Sequence, residues 1–150
     1  MKSADYLYSL FGCKGRKAVV TGASDGLGRE MAKVLVSAGA DTLVVARRSE
    51  RLESLAAELE ELEGRVLTCT ADLSDRGEIA HVADIAHTQL NGCDILVANA
   101  GIADRARLET MEEAKFAGIV DLNVTSQWLL AKALFPLLST SSAGRVINIA

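Results

Sequence analysis

Apolar and polar positions along the chain alternate between two periods. Lys17–Thr21 (KAVVT) is a short apolar run that stops at Gly22, as a strand buried on both faces does. From Gly26 to Ser37 the apolar residues Leu27, Met31, Val34 and Leu35 recur at helical spacing, and Gly39 closes the segment as a helix C-terminal signal. Thr42–Val45 is a second strand-like run, and Arg51–Leu62 a second helix with Leu52, Leu55, Leu59 and Leu62 on one stripe. Val66–Thr70 reads as a strand, Ser74–Leu90 as a helix capped by Ser74, and Asp94–Ala98 as a strand. A long helical region runs from Thr110 to about Leu138, in one piece or two, where Pro136 is expected to bend or end it. Arg145–Ile149 is the fifth strand.

Strand–helix alternation at this rhythm builds right-handed β-α-β units, hence a parallel sheet with helices on both faces. The 150 residues suit a single domain spanning 1–150. A hydrophobic share of 49% against 24% charged excludes a disordered or low-complexity chain. The net charge of −4 argues against a nucleic-acid partner, which needs a basic field. No apolar run is long enough for a membrane span, the N-terminal stretch lacks a signal-peptide core, and the expected location is cytoplasmic. Cys13, Cys69 and Cys93 are odd in number and widely spaced, so they read as reduced thiols acting as small hydrophobes. No metal site is expected: His81 and His87 lie six apart in one helix with no third ligand near. Glu58, Glu60, Glu61 and Glu63 read as a solvated helix end.

The stretch richest in chemistry is Thr21-Gly22-Ala23-Ser24-Asp25-Gly26-Leu27-Gly28, entered from a strand and left through a helix. Gly22 suits a tight turn, Gly26 a close backbone approach to a pyrophosphate, and Gly28 the packing of helix on sheet. Unpaired N–H groups at the helix start would face the phosphates. The G-x3-G-x-G order lacks the Gly-Lys-Ser/Thr ending of the P-loop, which excludes the usual ATPase or GTPase.

Beyond the second strand, dinucleotide folds that take NAD place a carboxylate against the ribose hydroxyls. Here Ala46 holds that place and Arg47 and Arg48 follow. A guanidinium grips a 2′-phosphate that a carboxylate would repel, and cations are otherwise disfavoured at a helix start. NADP(H) is therefore expected over NAD(H).

With these pieces in place the chain resembles the short-chain dehydrogenase/reductase family from about Leu10 to Ala150. The motifs are TGASDGLG at 21–28, Ala71-Asp72-Leu73, Ala98-Asn99-Ala100-Gly101, Asn123 in the long helix, and GRVINIA at 144–150. The resemblance implies a Rossmann-type doubly wound parallel sheet in the order 3-2-1-4-5, with further C-terminal strands missing. It implies that Ser24, Asp25, Gly26, Leu27 and Gly28 line the pyrophosphate turn, with the Leu27 amide on the phosphates. Asp72 would bond the adenine beside Leu73. Asn99, Ala100 and Gly101 would line the adenosine side, and Asn123 would be the catalytic-helix asparagine whose backbone holds a relay water.

Two departures accompany the resemblance. Ala98 stands where the family often has a second asparagine. The family's catalytic Ser would fall immediately after Ala150, and neither tyrosine, Tyr6 or Tyr8, begins a Tyr-x3-Lys. The resemblance thus implies the NADP(H)-binding portion of an oxidoreductase acting on a small carbonyl or alcohol, inactive by itself. The alternatives are a non-catalytic NADP(H)-sensing module working through a protein partner, and a methyltransferase-like fold, which the arginine pair disfavours. Trp128, with Leu129, Leu130 and Leu134, reads as core or as an oligomer interface; the resemblance favours the interface, in a homodimer or homotetramer. Strand five is expected to leave an apolar sheet edge, giving poor solubility or self-association.

Overall fold

The computed structural model describes residues 3–149. Five strands, β1 (Lys17–Thr21), β2 (Asp41–Ala46), β3 (Val66–Thr70), β4 (Ile95–Ala98) and β5 (Arg145–Asn148), form one parallel sheet in the order β3-β2-β1-β4-β5. Six helices accompany them among the described residues: α1 (Ser3–Phe11), α2 (Gly26–Ser37), α3 (Ser49–Glu58), α4 (Arg76–Thr88), α5 (Glu113–Val120) and α6 (Ser126–Thr140). A π-helical turn, Asp121–Thr125, joins α5 to α6, and a 3-10 turn covers Leu108–Thr110. The architecture is the doubly wound α/β layer arrangement anticipated from the alternation, in the expected strand order.

Alternate residues of the central strands feed two apolar layers. Val19, Leu43, Val45 and Leu96 share a cluster with Val82 and Ile85 of α4 and with Leu130 and Leu134 of α6. Val20, Val44 and Val97 share the other with Ala32 and Val36 of α2 and with Leu52 and Leu55 of α3. Each fully buried Leu or Val in these layers contributes about 1.5–3 kcal/mol. One carboxylate fastens the pole at the N-terminal ends of the strands. Asp94 accepts the Lys17 amide (2.7 Å) and the Ser141 hydroxyl, while its backbone bonds Lys17 and Arg145.

Several local expectations are corrected. The face of α2 that packs on the sheet is Gly28, Ala32 and Val36, whereas Leu27 and Val34 are 68% and 67% exposed. Small residues face inward because the helix lies too close to the sheet for larger ones. α3 ends at Glu58, not Leu62; Leu59 caps it and stays buried, and Leu62 is half-exposed. Glu58 does not merely face solvent: it bridges Arg29 (2.7 Å) and Lys33 (2.6 Å) of α2. Glu63 likewise pairs with Lys14 (2.8 Å) and accepts the Tyr8 hydroxyl (2.8 Å). The Tyr8 contact docks α1, a helix that the apolar pattern does not announce, and the Lys14 pair fastens the turn that follows it.

The cap of α4 is Asp75, whose carboxylate accepts the Gly77 and Glu78 amides; Ser74 instead turns back to Asp72. Pro136 does not end α6, which runs four residues past it, because burial of Leu134 and Leu138 on either side holds the turn in place. Trp128 is 59% exposed while Leu130 and Leu134 of the same helix are buried. All four residues of β5 are exposed, as an uncovered sheet edge. Cys69 and Cys93 are buried, and Cys13 is half-buried. Burial pushes the Cys69 thiol up to about 11, with Glu78 adding to it, and Cys93 up to about 12, with Asp94 adding to it. His81 and His87 are both exposed.

Candidate functional site

The strand order reverses direction between β1 and β4, and a cleft of about 570 Å³ opens there at the C-terminal ends of the strands. Four connections wall it. After β1 come Gly22, Ser24 and Asp25; after β2, Arg47 and Arg48; after β3, Asp72 and Leu73; after β4, Asn99, Ala100 and Gly101. Thus ten of the residues singled out from the sequence line one space. Gly26, Leu27 and Gly28 form the start of α2 beside its mouth.

The β1 turn is held by a knot of hydrogen bonds. The Thr21 hydroxyl, buried at 1% exposure, accepts the amides of Asn99 and Ala100 (both 2.9 Å). The Asn99 side-chain amide returns to the Thr21 carbonyl at 3.0 Å. Gly22 sits at φ +66°, which an L side chain rarely adopts. A Cβ on Gly28 would lie 2.3 Å from the Gly22 carbonyl oxygen and 2.5 Å from Asn99 Nδ2, so helix and turn close up only on glycine. In front of Gly26 the space is open.

Asp25 caps α2 by accepting the Gly26 amide at 2.9 Å, and the Arg29 amide reaches the Asp25 carbonyl at 3.4 Å. Among the described residues no protein acceptor meets the amides of Leu27 and Gly28. The Gly26 amide, followed by the guanidinium of Arg51, holds the Asp25 carboxyl below the usual carboxylate range.

Both arginines turn into the cleft. Arg48 donates to Ser24 Oγ at 3.0 Å and stands 3.6 Å from Asp25; Arg47 stands 3.9 Å from Asp72. The last two separations exceed good hydrogen-bond length, and the side chains are half-exposed or more, so a stronger anion can displace these pairs. Asp72 accepts the Ser74 amide (3.0 Å) and hydroxyl (2.8 Å), which lower its pKa.

Asn123 does not line the cleft. It lies in the π-helical turn, where its side chain accepts the Ile102 amide (2.9 Å) and donates to the Ile102 carbonyl (2.8 Å). Ile102 and Leu122, together with the strand-end residues Val45, Ala46 and Ala71, complete the lining. Thr21, Ile102 and Leu122 carried no role in the sequence reading. Leu122 had a signal in adjoining Asn123; the role of Thr21 depends on partners at the end of β4. Among the described residues no cluster of His, Cys, Asp and Glu could hold a metal, and no helix is long and apolar enough to cross a membrane.

A parallel doubly wound sheet with a glycine turn and helix start at its reversal point defines a nucleotide-binding α/β protein. The model of the short chain dehydrogenase family matches residues 16–150, and the chain belongs to that family. Nodulation protein G of Rhizobium sp. (strain N33) is 39% identical over 140 residues, 93% of this chain and 56% of that relative. The 2-dehydro-3-deoxy-D-gluconate 5-dehydrogenase of Formosa agariphila is 34% identical over 141 residues, 93% of this chain and 53% of the enzyme. The solved structure of the Pseudomonas aeruginosa RhlG/NADP active-site complex superposes with a TM-score of 0.86 at 36% identity, covering 93% of this chain and 56% of that one. The chain therefore spans about half the length of the relatives it matches.

Proposed function

We propose that the chain is the NADP(H)-binding portion of a short-chain oxidoreductase that interconverts a small carbonyl compound and an alcohol, and that these 150 residues do not turn over substrate by themselves at an enzymatic rate. The observation that carries the reading is the placement of Arg47 and Arg48 in the cleft, next to a helix start whose Leu27 and Gly28 amides meet no acceptor among the described residues. The residues fit the group: the space before Gly26 is clear, amides at a helix start suit a pyrophosphate, and the guanidinium pair suits a phosphate on the ribose. The RhlG complex, with NADP in its active site, supports the cofactor class.

In this reading the Leu27 and Gly28 amides hold the pyrophosphate, while Arg47, Arg48 and Ser24 hold the 2′-phosphate. Asp72 and Leu73 receive the adenine, and Asn99, Ala100 and Gly101 line the adenosine side. Asn123 steadies the wall at Ile102 and is the family's helix asparagine. Bound NADP(H) would supply the hydride chemistry. Tyr8 cannot serve as acid/base here, since its hydroxyl is tied to Glu63 at the pole opposite the cleft. Phe116, Val120, Val124, Trp128 and Phe135 are all exposed along α5, the π-helical turn and α6, which supports a homodimer or homotetramer through that stripe.

The test is a titration with NADPH and NADH at several salt concentrations. NADPH should bind about tenfold or more tightly than NADH, the reach of one charge-assisted phosphate contact. The advantage should shrink with salt and vanish in Arg47→Asp and Arg48→Ala. Equal affinity for both cofactors, unchanged in these variants, would overturn the reading.

A further inference from the structure

The cleft has two walls far apart in sequence, one from residues 71–73 and one from residues 99–102. A continuous set of contacts joins them outside the cleft. Asp72 binds Ser74 and accepts the Asp75 amide through its carbonyl, and Asp75 caps the helix that Arg76 begins. The Arg76 guanidinium forms an ion pair with Asp121, the first residue of the π-helical turn. The next residue, Leu122, is buried, lines the cleft and shares an apolar cluster with Ala71 and Leu73. Asn123 follows and holds Ile102 by both its backbone groups.

We propose that Arg76 and Asp121 are positioning residues of the cofactor cleft: their ion pair sets the π-helical turn so that Leu122 floors the cleft and Asn123 fixes the wall at Ile102. The proposal rests on the cofactor reading above for its functional consequence, and on contacts within the chain for its structural one. A π-helical turn fits five residues where an α-helix would set its usual turn, and such turns recur where a helix is re-aimed at a site. Asp121 lies on its partly exposed side, where Arg76 is the cation that meets it. The tether it has leads to the helix that starts four residues after the Asp72 side of the cleft.

The experiment compares Asp121→Asn, Arg76→Gln and the reversed pair Arg76→Asp/Asp121→Arg by amide hydrogen exchange and NADPH titration. Both single variants should raise exchange at Gly101 and Ile102 and weaken NADPH by about two- to fivefold, the range an exposed ion pair supports. The reversed pair should restore both. Exchange across Lys17–Val20 should stay unchanged, which separates loss of positioning from general destabilisation. Unchanged exchange at Gly101 and Ile102 in both single variants would overturn the proposal, as would a reversed pair no better than either. If the unmodified chain binds no NADPH, the cofactor reading fails, and the exchange comparison still decides the tether.

Discussion

At the scale of single residues, Thr21 does work that its place at the end of a strand does not announce. Its buried hydroxyl accepts two amides from the β4 connection and so joins the ends of β1 and β4. Thr21→Val keeps the shape and removes the acceptor, leaving two part-buried N–H groups unpaired, each costing about 1–3 kcal/mol. Urea unfolding of Thr21→Val should show a loss of about 2–4 kcal/mol, and Thr21→Ser only a small part of it. Asp72 stood out only through the family resemblance, whereas the glycines of the turn and the arginine pair were legible because each follows an apolar run at a spacing with a mechanism. Thr21 and Ile102 were not, since their partners lie 78 and 21 residues away in the chain and only the fold brings them together.

At the scale of elements, strands were read nearly to the residue because both faces of each central strand are buried, leaving uninterrupted apolar runs. Helix ends were read less well. Ser74 and Asp75 are both good caps, and the choice falls to Asp75 because Asp72 engages the serine. Asp75→Ala should therefore lower stability by about 1 kcal/mol in thermal unfolding. Ser74→Ala should cost less in stability. In α2, hydropathy pointed to Leu27 and Val34, but the distance between helix and sheet selected Gly28 and Ala32 for the inner face. α1 escaped notice because its docking depends on Glu63, from a turn more than fifty residues downstream.

At the scale of the molecule, surface carboxylates are held by cations in ways that couple stability to pH. Lys33, then Arg29, keeps the Glu58 carboxyl below its ordinary value; Lys14, then Tyr8, does so for Glu63; Lys115, then the Ala106 amide, does so for Asp104. A depressed folded pKa stabilises the fold above the unfolded value and loses that contribution as pH falls through the folded one. Melting temperature should accordingly decline on acidification from about pH 5 to pH 3, less steeply in Glu58→Gln and at high salt. The exposed stripe on α5 and α6 bears on association instead. Sedimentation should show concentration-dependent self-association that Trp128→Glu and Phe135→Glu reduce.

The central strand pair is secured at both ends, by Thr21 beside the cleft and by the Asp94 carboxylate at the far pole. Shear or splaying of β1 against β4 would have to break contacts at both ends at once. The two walls of the mouth thus share one footing, and the solvent-facing stretch that leads away from Ile102 is tied back through Asn123 and through the Lys115–Asp104 pair.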